Sequence, residues 1–160
     1  MLYGQEQQTI GLQSKVAFSI ALDASFNNDD FLLGIYPGIL LKKQQIRANL
    51  FFYARPYEKK VYVRQTQNFL IRYLEWRSVL GINVDKHFEI YANTGLMLSA
   101  GYGWSFATYA GSNSDPKSKG TPVLKVGFDQ RFADIFVGIG YKFIKLPYVD
   151  NNQFYLSFTY

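Results

Sequence analysis

The chain has no cysteine, a single histidine and no long apolar run. The absence of cysteine excludes disulfides, thiolate metal sites and thiol catalysis. The longest apolar stretch, residues 31–41, is interrupted by Gly34, Pro37 and Gly38. It falls far short of the ~20 residues that a membrane-spanning helix needs. The composition therefore argues against both a helical membrane protein and an enzyme that uses a thiol.

Charge is also modest, with a formal net charge of +5 over 160 residues. Lysine and arginine are spread along the chain and form no single basic cluster, so no nucleic-acid partner is expected. The opening "MLYGQEQQ" lacks the charged start and apolar stretch of an export signal, which indicates a mature chain if the protein is exported. The length favours one domain, residues 1–160, with residues 1–8 as an N-terminal periplasmic segment.

Aromatic residues are abundant, at 18% of the chain, and they recur in alternating patterns. In "TIGLQSKVAFSIALD", residues 9–23, the even positions are almost all apolar and the odd positions are small or polar. A period of two residues predicts a β-strand with one apolar face.

The same alternation returns along the whole chain and predicts eight strands. The predicted strands are residues 9–23, 31–41, 46–55, 69–82, 88–106, 121–132, 135–144 and 153–160. The connections alternate between short (42–45, 84–86 and 133–134) and long (23–30, 56–68, 107–120 and 146–152). An all-β, eight-stranded antiparallel up-and-down transmembrane β-barrel has this pattern, with turns at one rim and loops at the other.

The contents of the two faces indicate which face is outside. The polar face carries charges of both signs, whereas the apolar face carries leucine, isoleucine and phenylalanine with almost no charge. A soluble, lipocalin-like ligand binder with eight strands would need the apolar face inside. A membrane barrel exposes it to lipid. We favour the membrane barrel because charges of both signs can pair with one another in a lumen, whereas an uncharged face of leucine, isoleucine and phenylalanine suits lipid.

In length, strand number and loop asymmetry the chain resembles the small OmpA/OmpX type of bacterial outer-membrane barrel. The ending "QFYLSFTY" is similar to the C-terminal signal of such barrels, with Gln153, Phe158 and Tyr160 at matching positions and Tyr155 where glycine is usual. The resemblance implies an integral protein of the outer membrane, with short turns and termini in the periplasm. It also implies recognition by the barrel-insertion machinery and contact with outer-membrane lipid and lipopolysaccharide.

The polar face predicts a charge network in the lumen. Its members are Lys15, Arg47, Glu75, Arg77, Glu89, Lys125, Asp129, Arg131 and Lys142. Counting from the predicted turns places Arg47, Glu89, Asp129 and Arg131 low in the barrel and the other five near mid-height. With Arg55, basic residues outnumber acidic ones by seven to three, so some cations would meet water or a bound anion. We expect these side chains to plug so narrow an interior.

Residues 46–63, 69–82 and 88–106 each form a longer extended segment than the about ten residues that cross a bilayer, so these three should rise above it as a sheet. On one of them, Tyr102, Trp104 and Phe106 continue the apolar stripe, and Arg72 lies at similar height. One interpretation is an aromatic girdle with basic residues meeting lipopolysaccharide phosphates. The other is a docking face for a protein partner.

The residues indicate no catalytic set, metal site or cofactor. His87 stands beside a predicted turn without a serine or aspartate partner implied by spacing. Turn formation explains aspartate in loops better than calcium binding does. The aspartates predicted in loops are Asp23, Asp29, Asp30, Asp115 and Asp150. The first hypothesis is a non-enzymatic structural or interaction protein, either an accessory subunit of a larger envelope complex or a surface-binding protein. An outer-leaflet enzyme that modifies lipid A is the alternative among membrane barrels.

Overall fold

The computed structural model describes residues 16–66, 69–110, 117–146 and 150–160. The predicted segment 1–8, the start of the predicted first strand, Lys15 and Asp115 lie outside the described residues. Regular structure in the described part consists of strands alone: β1 (Val16–Phe26), β2 (Phe31–Leu41), β3 (Ile46–Ala54), β4 (Lys59–Thr66), β5 (Phe69–Tyr91), β6 (Thr94–Ala110), β7 (Lys117–Phe132), β8 (Ile135–Ile144) and β9 (Asn152–Thr159). No helix in this part is long and apolar enough to cross a membrane.

The strands close into a barrel with antiparallel neighbours. The sheet order is β3-β2-β1-β9-β8-β7-β6-β5-β4, and an additional pairing between β3 and β5 closes the ring. Ile46–Ala54 pairs with one half of β5 and Lys59–Thr66 with the other half, so β3 and β4 share one position in the barrel. The predicted eight-stranded antiparallel barrel is therefore confirmed.

Short turns gather at one end, which we call the turn rim, and the longer connections at the other, the loop rim. The turns at residues 42–45 and 133–134 are where the sequence predicted them. The predicted turn at residues 84–86 is wrong, because β5 continues unbroken to Tyr91 and the chain reverses at residues 92–93. Asn93 has a φ of 66°, a left-handed conformation that asparagine tolerates better than most residues.

Several residues predicted in loops belong to strands. β1 extends to Phe26, residues 59–66 form β4, and β6 reaches Ala110. The predicted loop 56–68 contains the strand formers Val61, Tyr62 and Val63, which pair with β5 in a regular ladder. We call the part that rises past the barrel the outer sheet, comprising residues 59–66, 69–76, 106–110 and 117–120.

The apolar face points outward, as the membrane interpretation requires. Phe18 is 74% exposed and Ile139 is 60% exposed, although both are large and apolar. Polar side chains and an aromatic cluster that includes Tyr36, Phe51 and Tyr53 are buried inside. This distribution contradicts the lipocalin-like alternative, which requires the apolar face to line the cavity.

Candidate functional site

Near the loop rim, two arginines and two carboxylates form a buried cluster. Arg55 donates to both oxygens of Asp30, at 2.7 and 2.6 Å, and to Glu75 at 3.0 Å. Arg77 donates to Glu75 at 2.8 and 2.6 Å and to the Ser105 hydroxyl at 2.9 Å. Such bidentate, charge-assisted contacts are geometrically specific. They join β2, β3, β5 and β6 across the mouth of the barrel.

The connection between β3 and β4 is attached to this cluster. The Tyr57 hydroxyl donates to Asp30 at 3.1 Å and accepts from the Phe31 backbone N–H at 3.1 Å. Partial burial, together with the carboxylate of Asp30, raises the pKa of Tyr57. The hydroxyl therefore remains a hydrogen-bond donor to Asp30 at neutral pH.

In the middle of the barrel, two lysines share one carboxylate. Asp23 accepts from Lys125 at 3.1 Å and from Lys142 at 3.4 Å. The Lys142 ammonium lies 3.8 Å from the ring centroid of Tyr53, and that of Lys125 lies 4.0 Å from the ring centroid of Tyr36. Aromatic faces stabilise cations that are removed from water.

Toward the turn rim, the Asp85 carboxylate accepts hydrogen bonds from side chains of the neighbouring strand β3. It accepts from the Arg47 guanidinium at 3.0 Å and from the side-chain amide of Asn49 at 2.9 Å. His87 and Asp129 form a separate pair, with 2.9 Å between the His87 Nδ1 and an Asp129 oxygen. Spacing in the sequence implies no partner for His87, because Asp129 is 42 residues away in the chain.

The girdle residues lie lower than the sequence predicted. Because the turn is at residues 92–93, Tyr102 and Trp104 are about the ninth and eleventh residues of β6, which is within the length of a membrane crossing. Their rings meet at 90° with centroids 5.9 Å apart, on the outer face. Phe106 lies just above them, whereas Arg72 is exposed on the outer sheet. Tyr102 and Trp104 thus lie within the height of a membrane crossing, whereas the sequence had predicted them above it.

Comparisons with known proteins bear on this arrangement of strands. The chain matches no protein-family model. No curated protein matches it either. Among solved structures, Neisserial surface protein A (NspA) aligns with a TM-score of 0.56 at 15% identity, covering 90% of this chain and 92% of NspA. The outer-membrane protein Ail of Yersinia pestis, in a phospholipid nanodisc, aligns with a TM-score of 0.52 at 16% identity, covering 89% of this chain and 97% of Ail. The fold is that of a small outer-membrane β-barrel.

Not every predicted lumen residue of this outer-membrane barrel fold joins a buried cluster. Arg47, Glu75, Arg77, Lys125, Asp129 and Lys142 are brought into the contacts described above. Glu89 is exposed, and Arg131 has a half-exposed side chain 4.0 Å from Asp134 at the turn rim. The predicted mid-height position of Glu75 and Arg77 is wrong, because the shift of the β5–β6 turn moves both to the loop rim.

Sequence reasoning missed three of the carboxylates that matter. Asp23, Asp30 and Asp85 are buried acceptors, although they were assigned to loops and a turn. The signal was present for two of them, since Asp23 and Asp85 share the parity of the lumen face. Each of the five lysines and arginines in these clusters has a carboxylate within 3.4 Å. The expected surplus of unpaired cations does not arise among the described lumen residues.

The closing strand of the outer-membrane barrel fold joins the first strand. Tyr160 and Ile20 exchange two backbone hydrogen bonds of 2.9 Å each. Gln153 points into the barrel and is buried, whereas Phe158 and Tyr160 are exposed on the outer face. The residues of the predicted insertion signal therefore lie in the strand that seals the barrel.

Proposed function

We propose that this protein is a non-enzymatic integral barrel of the bacterial outer membrane, with short turns in the periplasm and the outer sheet at the cell surface. Its role is structural or that of an interaction protein, most directly as an accessory subunit of a larger envelope complex. The exposed apolar belt supports the location, since contact with water would leave it unstable. NspA is described as a surface protein and Ail as an outer-membrane protein, which agrees with this proposal.

The proposal includes a plugged lumen. The three charged clusters lie near the loop rim, in the middle of the barrel and toward the turn rim, and the rings of Tyr36, Phe51 and Tyr53 pack together beside the middle cluster. An eight-stranded barrel has an interior that side chains can fill. Purified protein in planar lipid bilayers should therefore give no stepwise ion conductance. A reproducible conductance from the wild-type chain would contradict the plug.

The single observation that carries the interaction role is the outer sheet with its open edge. Among the described strands, β4 pairs with β5 alone, so the other edge of β4 offers backbone N–H and C=O groups to a partner. An exposed edge of this kind can accept an added strand. Lys60 and Arg72 are exposed on the outer sheet, which favours an acidic partner segment.

The experiment is to tag the chain, extract it from native outer membranes in mild detergent and weigh the particles by native mass spectrometry. A stoichiometric protein companion is expected. The double substitution Lys60→Glu and Arg72→Glu should release it, because both charges on the binding sheet are reversed. Lys145→Glu provides a matched control, since Lys145 is exposed at the same rim outside the outer sheet. A bare wild-type monomer would overturn the subunit role.

The proposal also states that the protein does not modify lipid A. The His87–Asp129 pair lies near the turn rim, whereas the outer leaflet would surround the loop rim. Purified barrel incubated with lipid A should neither release nor transfer acyl chains. Detection of either product, lost in a His87→Gln variant, would replace the interaction role with an enzymatic one.

A further inference from the structure

The outer face of the barrel contains an apolar groove that the proposed function does not use. It crosses β1, β2, β3, β5 and β6 and has a volume of about 830 Å³. Its lining includes the short side chains of Ala48 and Ala100, which are the partners of Val84 on the two neighbouring strands, together with Ile39 and Tyr102. This size lies in the range of small-molecule sites, and the lining is almost wholly apolar.

A cluster of lysines lies beside the turn-rim end of the groove. Lys86 follows Val84 by two residues on β5, a separation of about 7 Å along a strand. Its ammonium donates to the Gln44 carbonyl, within the turn that contains Lys42 and Lys43. The three lysines are thereby gathered around one turn. Lys42 and Lys43 are both exposed.

Among the residues that the structure describes, no carboxylate forms an ion pair with these lysines. Asp85, the neighbour of Lys86 in sequence, points into the barrel and binds Arg47. Glu89 has the parity of the lumen face, opposite to the face of Lys86. Among the described residues, neither Lys42 nor Lys43 forms an ion pair. The lysines therefore leave positive charge at the end of an apolar groove.

We propose that the groove and the three lysines together bind a glycerophospholipid with an anionic headgroup. One acyl chain lies in the groove over Ala48 and Ala100, and the phosphate lies beside Lys42, Lys43 and Lys86. Charge complementarity favours this ligand, because its anionic headgroup pairs with the lysines. An apolar protein segment in the groove would leave the lysines without a counter-charge. The inference rests on the proposed function, which places the turn rim, and thus this lipid, at the periplasmic leaflet.

The test uses the full chain, folded in detergent micelles that contain phosphatidylglycerol and phosphatidylcholine with identical acyl chains. Native mass spectrometry should show one phosphatidylglycerol retained, at least tenfold more often than phosphatidylcholine. The triple variant Lys42→Gln, Lys43→Gln, Lys86→Gln should lose this preference. Ala48→Phe, which fills the groove, should lower retention of both lipids. Lys60→Gln, at the opposite rim, is the control and should bind as the wild type does.

Equal retention of the two lipids by the wild type would overturn the proposal, as would an unchanged preference in the triple variant. Lipopolysaccharide displacing phosphatidylglycerol in competition would show that the lysines recognise a different lipid class, and would also overturn it. Circular dichroism in the same micelles separates these failures from a failure of the proposed function. A folded barrel without lipid preference removes only the lipid site, whereas a chain that forms no barrel in detergent or bilayers contradicts the membrane role itself.

Discussion

Asp23 is the carboxylate that pairs with both buried lysines in the middle of the barrel. Lys125 and Lys142 both donate to it, from β7 and β8, while it stands on β1. Because all three groups are buried, replacing the acid leaves two ammonium groups without a counter-charge in a low-dielectric interior. A single residue thus connects the first strand to β8 and β7, which follow β9 in the order of the sheet.

Asp23→Asn should lower the free energy of unfolding by about 3–5 kcal/mol, the usual cost of breaking a buried ion pair on one side. Urea titration of the barrel in lipid vesicles, followed by tryptophan fluorescence, measures this change. Asp134→Asn is the control, because Asp134 is exposed and its 4.0 Å contact with Arg131 should contribute less than about 1 kcal/mol. Equal effects of the two substitutions would show that the buried contacts of Asp23 stabilise the barrel no more than the exposed contact of Asp134 does.

Glycine at position 34 is required by its neighbour across the sheet. A Cβ atom at Gly34 would lie 2.6 Å from the ring of Tyr53, the ring that covers the Lys142 ammonium. Gly34→Ala should therefore cost about 1–3 kcal/mol through overpacking. In a Tyr53→Leu background the same change should cost much less, and the double-mutant cycle measures the difference. Additive effects would mean that the ring moves aside freely.

At the scale of elements, alternation along the sequence is a reliable guide to which face of a strand is inside. From Glu75 to Ile82 and from Gly95 to Phe106, the residues predicted on the lumen face lie inside and those predicted on the apolar face lie outside. The turn between these strands was misplaced by several residues, because "VDKH" looks like a turn. Asp85 and His87 are instead polar because they lie on the polar lumen face of β5. A period-two pattern cannot distinguish a polar residue in a turn from a polar residue on the lumen face. Partners such as Asp23 with Lys125, 102 residues apart, are set by barrel closure and leave no local signal.

The position of the β5–β6 turn can be tested through its conformation. Asn93 adopts a φ of 66°, which a β-branched side chain strongly disfavours. Asn93→Val should destabilise the barrel by about 1–3 kcal/mol, whereas Asn93→Gly should change stability little. Unfolding of both variants in urea provides the comparison. If Asn93→Val were neutral, the chain would have to reverse elsewhere.

At the scale of the whole molecule, the end of the chain closes the structure. Tyr160 contributes two backbone hydrogen bonds to Ile20 and places its ring on the outer face. These are separable contributions, since truncating the ring leaves the backbone bonds in place. The ring is also the terminal aromatic of the predicted insertion signal. The effect of Tyr160 on the stability of the barrel can therefore be measured separately from its effect on insertion into the membrane.

Tyr160→Ala should retain most of its stability once refolded in vesicles, because the lost ring is exposed and the backbone bonds remain. Its amount in the outer membrane of cells should nevertheless fall severalfold, since the insertion machinery would recognise the strand poorly. Tyr91→Ala is the matched control, an exposed tyrosine at the turn rim in a different strand. If the amounts of both variants in the outer membrane fell equally, the loss of any aromatic residue at this rim would explain the effect. If the refolded stability fell for Tyr160→Ala alone, the Tyr160 ring would be needed for barrel closure itself. The resemblance of "QFYLSFTY" to an insertion signal would then reflect the requirements of a closing strand.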